Sequence, residues 1–273
     1  MDKLAVSNIG WSANSENVLA SLAVSGGDRI EVAPGKLGAW DSLDKSILEN
    51  FLGLCSKFQL TVPSFQALFF GKPELQLLGD KRSFQAMKDH VKRVAELAAF
   101  ANCNIMVFGA PGNRKLLGIS RRDGEDLARE RLNELAEIAW AHRTSIALEA
   151  VPAAYGGEII TSFKDSLDIV KSVDHPGLVF HLDAACTWLA GDSIGAAVSE
   201  AGPSLRHFHV SQPQLAEFSN PESYHMEAGL ALRRSGYSGW ISIEMRETAT
   251  PLDSLKEAVN FTRGCYFDLK TAN

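Results

Sequence analysis

The sequence predicts an α/β protein folded as a single (β/α)8 TIM barrel over residues 1–273. Three observations carry that expectation. Short apolar runs of strand length recur eight times, an amphipathic helical stretch follows each run, and the first run leads into no G-x-G-x-x-G turn. Near-continuous hydrophobicity marks parallel strands covered on both faces.

The runs are L-A-V-S-N-I (4–9), R-I-E-V-A (29–33), Q-L-T-V-P-S-F (59–65), N-I-M-V-F-G (104–109), S-I-A-L-E-A-V (145–151), L-V-F-H-L-D (178–183), L-R-H-F-H-V-S (205–211) and W-I-S-I-E-M (240–245). After the third, residues 84–101 set Phe84, Met87, Val91, Val94, Leu97 and Phe100 at steps of three and four, the apolar stripe of a helix. After the fourth, residues 123–142 do the same with Leu127, Leu132, Leu135 and Ile138 under an outer face rich in Glu and Arg. The last helix opens with T-P-L-D: Thr250 as N-cap, Pro251 as first helical residue and Asp253 completing a capping box. An open doubly wound sheet is the rival architecture, and the missing glycine-rich turn after 4–9 disfavours it.

Composition narrows the function. The chain has 273 residues, 45% hydrophobic, a length usual for one barrel. Its net charge of -6, from 27 basic and 33 acidic residues, argues against a nucleic-acid partner. Cys55, Cys103, Cys186 and Cys265 lie far apart with no C-x-x-C, which suits a reducing cytoplasm. The opening M-D-K-L-A-V-S-N-I-G has no basic segment before an apolar run, so no signal peptide is expected. No run approaches the ~18 apolar residues of a membrane span. The expectation is a soluble cytoplasmic protein acting on a small molecule.

The last four runs each end in a potential metal ligand: Glu149, Asp183, His209 and Glu244. Their separations of 34, 26 and 35 residues are each about one βα unit, which sets them at matching height at the catalytic end of a barrel. Strand alternation lets all four point into the mouth. Three carboxylates packed together repel, and a divalent cation is the simplest remedy. Oxygen-rich ligation with one imidazole suits Mn²⁺, Mg²⁺ or Co²⁺, with Zn²⁺ also able to bind.

These motifs resemble the xylose isomerase-like barrels of the sugar phosphate isomerase/epimerase family, within the AP endonuclease family 2 superfamily. The matching stretches are S-N-I-G-W (7–11), V-F-G-A-P-G-N-R (107–114), A-L-E-A-V-P (147–152), H-L-D (181–183), H-F-H-V-S (207–211) and W-I-S-I-E-M (240–245). The resemblance implies one metal held by Glu149, Asp183, His209 and Glu244, with Glu149 and Glu244 as the base and acid pair. It implies isomerisation or epimerisation of a sugar or sugar phosphate. A metal chelated by a carbonyl oxygen and its neighbouring hydroxyl acidifies the C–H between them and stabilises the enediolate. Relatives often form homodimers or tetramers. The alternatives are a dehydratase of a polyol ketone and a non-catalytic sugar-binding barrel.

This chain also departs from the family. Cys186 stands where a D-x-x-H histidine is common, and Gln212 where an acid often follows the strand-seven histidine. With Phe108-Gly109 on the fourth strand and Cys186 on the sixth, the extra histidines of the three-metal DNA-repair endonucleases are missing, so DNA cleavage is not expected.

Other residues carry two readings each. His181 and His207, two positions before a ligand, are hydrogen-bond partners behind the metal or interior packing. Gln66 binds substrate hydroxyls or closes a loop. Arg114, with Lys115 or Arg246, grips a phosphate or carboxylate, or else forms an exposed salt bridge. Trp11, Phe70, Tyr155 and Trp188 wall a sugar pocket or simply pack. His225 reaches the site or begins a helix.

Overall fold

The computed structural model describes residues 3–12 and 15–268. Met1 and Asp2, which open the segment read for a signal peptide, lie outside the described residues. Eight parallel strands form one sheet: β1 (Leu4–Ser7), β2 (Arg29–Glu31), β3 (Ser64–Phe65), β4 (Ile105–Phe108), β5 (Ser145–Glu149), β6 (Leu178–Asp183), β7 (Leu205–Ser211) and β8 (Trp240–Glu244). Their order is β2-β1-β8-β7-β6-β5-β4-β3. Bridges Arg29↔Thr61 and Val32↔Phe65 join the two ends, so the sheet closes into a (β/α)8 barrel.

Each predicted run holds a strand, shortened where local chemistry intervenes. In the third run Pro63 has no N–H to donate, and the ladder is only Ser64–Phe65. In the first run the chain coils after Ser7, whose Oγ accepts from the Ile9 N–H at 3.3 Å.

The helices are α1 (Ser15–Ser25), α2 (Lys45–Lys57), α3 (Lys81–Phe100), α4 (Arg121–Ala141), α5 (Phe163–Val173), α6 (Ala184–Leu189), α7 (Ile194–Ala201), α8 (Tyr224–Arg234) and α9 (Pro251–Thr262). In α3 the expected stripe is buried from Phe84 to Leu97, while Phe100 is exposed. Each aliphatic side chain so buried contributes roughly 1.5–3 kcal/mol. In α4 the buried face turns slightly from the one expected: Ala128, Leu132, Leu135, Ala136 and Ala139 face inward, and Leu127 and Ile138 are half-buried. The small alanines let that helix lie close to its neighbours.

The capping box expected at the start of α9 is not formed. The Thr250 carbonyl receives the Asp253 and Ser254 N–H groups, while its hydroxyl caps nothing. A capping box does form at α5, where Ser162 and Asp165 satisfy each other's backbone N–H. No helix among the described residues is long and apolar enough to cross a membrane. All four cysteines are buried free thiols.

The barrel interior is divided. On one side Ile105, Val107 and Ala147 form a small apolar cluster with Val179 packed against it. The rest is polar: Ser7, Glu31, Ser64, His181, His207, His209 and Ser242 are all buried. A barrel core is usually filled by branched aliphatics, so this polar interior needs a reason.

Candidate metal centre and cavity

Glu149, Asp183 and Glu244 are the last residues of β5, β6 and β8, and His209 lies two residues before the end of β7. Register pairs Asp183 with His209 and His209 with Ser242, which sets the four side chains around one mouth. Glu149, Asp183 and His209 are buried, and the Glu244 side chain is 14% exposed.

His209 Nδ1 lies 3.3 Å from Glu244 Oε2 and 3.8 Å from Asp183 Oδ2. The donor atoms of Asp183, His209 and Glu244 all fall within 4.8 Å of one another, as do those of Glu149, Asp183 and Cys186. Two ligands about 2.1 Å from one cation stand about 3–3.5 Å apart, so a small contraction would complete the shell. His209 Nδ1 is also a buried nitrogen with no hydrogen-bond partner. A buried ring nitrogen aimed at carboxylates fits a cation between them once its proton is displaced, and the residues present fit the group.

The carboxylates are held in place. Asp183 is the N-cap of α6: its Oδ1 accepts from the Cys186 N–H at 2.6 Å, and its Oδ2 accepts from Ser211 Oγ at 2.6 Å. Glu149 owes its position to a missing side chain, since a Cβ on Gly109 would stand 1.8 Å from Glu149 Oε2. Cys186 Sγ points at Glu149 Oε1 from 3.5 Å.

Electrostatics show what the crowding costs. Burial, with Asp183 and Glu244 nearby, pushes the Glu149 carboxyl up to about 8. Burial and the Glu244 charge push Asp183 upward as well. Burial disfavours a charged His209, yet Glu31 and Glu244 hold its pKa well above the ordinary imidazole value. Burial, Asp183 and Glu149 keep the Cys186 thiol protonated. A cation must therefore displace protons on entry. Its apparent affinity should rise by about tenfold per pH unit for the Glu149 proton alone, levelling off above about pH 8. Calorimetric titration across that window checks this, and an affinity indifferent to pH would remove Glu149 from the ligand set.

Glu31, on β2, is a site residue that sequence reasoning missed. It is fully buried and accepts from His209 Nε2 (2.9 Å), Ser242 Oγ (3.0 Å) and Ser64 Oγ (2.7 Å), with His207 Nε2 at 2.9 Å. The signal was a carboxylate in the apolar run R-I-E-V-A, the same anomaly that Glu244 presents in W-I-S-I-E-M. His207 and His181 pair with each other, Nδ1 to Nδ1, at 3.1 Å. They were expected to back the metal ligands or pack inside. They sit in the interior, their rings against His209, with His207 turned to Glu31 rather than to a ligand.

A cavity of about 600 Å³ opens onto Glu149, Asp183 and Glu244, bordered by Phe69, Phe70, Gln66, Tyr155, Gln212 and Gln214 among others. Of the expected substrate residues, Gln66, Phe70 and Tyr155 line it. Gln66 Nε2 donates to Ser7 Oγ at 2.5 Å, and the Tyr155 hydroxyl accepts from the Gln214 N–H at 2.5 Å. Trp11, Arg114, Lys115, Trp188, His225 and Arg246 lie outside its lining. Arg114 is fully buried and donates Nη1 to the Glu149 carbonyl at 2.8 Å, so it braces the strand end. Trp188 packs on Tyr224 with its outer face in solvent. His225 is sealed beside Phe218 and Phe261, its Nδ1 2.6 Å from the Tyr266 hydroxyl. Arg246 borders a separate surface depression beyond Gln212. Trp188→Ala should therefore leave metal affinity and any turnover within about twofold of the parent, as titration and steady-state rates will show.

The departures from the family pattern also have local roles. Gln212 ties its loop together, donating to the Glu217 and Asn220 carbonyls and accepting from the Glu222 N–H. Lys115 bridges to the Gly156 carbonyl and Glu158, outside the cavity lining.

A family profile described as "Xylose isomerase-like TIM barrel" matches residues 19–265. The chain belongs to that family. A D-psicose 3-epimerase of Ruminiclostridium cellulolyticum is 30% identical over 115 residues, a match covering 42% of this chain and 39% of that protein. The match thus spans about two-fifths of the curated relative's length. Among solved structures, D-psicose 3-epimerase with D-tagatose from Clostridium cellulolyticum H10 superposes with a TM-score of 0.81 at 18% identity, covering 97% of this chain and 99% of that one. The 3-keto-D-glucoside 4-epimerase from E. coli gives 0.79 at 16% identity over 97% and 100% of the two chains. At such identities these structures speak for the shared fold.

Proposed function

We propose that this protein is a divalent-metal-dependent epimerase or isomerase of an unphosphorylated ketose or similar small hydroxycarbonyl compound. One observation supports it most. Glu149, Asp183 and Glu244, at the ends of β5, β6 and β8, border a sugar-sized cavity, and the buried Nδ1 of His209 lies behind them, within 4.8 Å of the Asp183 and Glu244 donor atoms. Glu149, Asp183, His209 and Glu244 would hold the cation, Mn²⁺, Mg²⁺ or Co²⁺ by donor chemistry. Bound there, it supplies Lewis-acid polarisation of a carbonyl and its neighbouring hydroxyl.

The protein's own groups do the rest. Glu149 and Glu244 stand on different strands with Asp183 between them, so two carboxylates can address one substrate carbon. One takes the proton and the other returns it. Phe69 and Phe70 offer apolar faces to sugar C–H groups, while Gln66 and Tyr155 offer polar contacts to hydroxyls. Among the described lining residues Lys72 is the one cation, and Asp41 stands 3.2 Å from its Nζ. That charge balance favours a neutral sugar over a phosphorylated one.

The test is metal content by elemental analysis of the purified protein and of Glu244→Gln, followed by ketose screening in D₂O. About one Mn, Co, Mg or Zn per chain, lost in the variant, with solvent deuterium entering carbon, is the expected result. Loss of water from the substrate would indicate a dehydratase instead. Sugar binding without exchange would indicate a non-catalytic barrel.

A further inference from the structure

We infer that Glu31 positions His209 as a metal ligand, accepting the Nε2 proton on one side of the ring so that Nδ1 is the nitrogen turned to Asp183 and Glu244 and offered to a cation. This rests on the metal-centre reading above. An imidazole has two nitrogens, and a hydrogen bond at one decides which is free for a cation. Here Nε2 lies 2.9 Å from Glu31 Oε1, and Nδ1 is the atom 3.3 Å from Glu244 and 3.8 Å from Asp183.

The carboxylate is itself fixed. Its Oε1 also accepts from Ser242 Oγ at 3.0 Å, and its Oε2 accepts from Ser64 Oγ at 2.7 Å. These donors come from β8 and β3, so Glu31 is held from several sides of the barrel. The His181–His207 pairing occupies His207 Nδ1, which leaves His207 Nε2 for Glu31 Oε2 at 2.9 Å. A neutral amide could fill the same space. A full charge buried at 0% exposure costs several kcal/mol unless it is used, and its use here is to increase the donor strength of the imidazole.

Two measurements test the assignment. In ¹⁵N-histidine-labelled, Zn²⁺-loaded protein, His209 should keep a proton on Nε2 and carry the metal on Nδ1, read from the nitrogen shifts and N–H couplings. Glu31→Gln, nearly isosteric, should bind Co²⁺ about 10–100-fold more weakly, with a changed visible spectrum of the bound ion. Trp188→Ala, outside the cavity lining and away from Glu31, should stay within about twofold of the parent. If Glu31→Gln does not fold, the labelled parent protein decides alone. A metal on Nε2, or parental affinity and spectrum in Glu31→Gln, would overturn the role of Glu31 while leaving the metal centre intact. Failure of the parent protein to bind either ion would overturn the metal reading, and this inference with it.

Discussion

Glu149→Gln is expected to lower proton exchange at the substrate carbon by about 10²–10⁴-fold, because the amide keeps the shape of the carboxyl and cannot carry the proton. It should weaken the cation as well, and measuring exchange at saturating metal separates the two losses. The same substitution makes an opposite prediction for stability. The Glu149 carboxyl is raised from an ordinary 4.5 to about 8 in the folded protein. A raised carboxyl contributes its stability below the unfolded value and loses it as pH climbs through the folded one. The metal-free parent should therefore lose a few kcal/mol from this group between about pH 4.5 and 8, and Glu149→Gln should not. Metal-free Glu149→Gln should melt above the parent at pH 8, with the gap closing toward pH 5. A catalytic loss joined to a gain in melting temperature is a signature of a strained functional group. If the variant melted lower at every pH, Glu149 would be a supporting residue.

The second large effect is expected from a single methyl group. Gly109→Ala places its Cβ 1.8 Å from Glu149 Oε2, far inside contact distance. The carboxylate must swing away, because the Arg114 guanidinium is hydrogen-bonded to the carbonyl of the same residue and holds its backbone. Overpacking of this kind costs about 1–3 kcal/mol, which a barrel of this size tolerates. The centre would not tolerate it: displacing one of four ligands should cost metal binding by at least 100-fold, near the effect of losing the carboxyl outright. Titration of the folded variant with Co²⁺ checks this. Retained affinity would mean that the ion sits away from Glu149, among Asp183, His209 and Glu244 alone.

The barrel and the clustering of Glu149, Asp183, His209 and Glu244 could be read from residues for the same reason. Parallel strands buried on both faces leave uninterrupted apolar runs, and a charged or imidazole group at the end of such a run has few places to go. Glu149, Asp183, His209 and Glu244 recur at intervals of one βα unit, so strand alternation alone sets them together. Glu31 broke the same rule in R-I-E-V-A, but its run is not among those whose ends form the cluster. Only the closed barrel brings β2 opposite β7.

The residues after the strands were harder to read. The directions of Arg114, Trp188, His225 and Arg246 depend on how loops and helices settle, which no two-residue period records. Arg114 turned inward to a carbonyl and His225 into an aromatic nest, where burial pushes its imidazole down to about 3. Gly109 was illegible for another reason: its contribution is empty space, visible only once Glu149 is seen to occupy it.

The contact between Glu31 and His209 spans 178 residues of chain, and β8 must lie between β1 and β7 before the barrel is shut. During synthesis no fragment ending before Glu244 can assemble the centre, however well its early βα units have formed. Assembly of the proposed metal centre thus depends on the last strand, and an ion that binds there would recognise completion. Free cation would draw the last step forward by mass action, leaving earlier intermediates unaided. A cation that slows unfolding far more than it speeds refolding would place ligand convergence after the transition state.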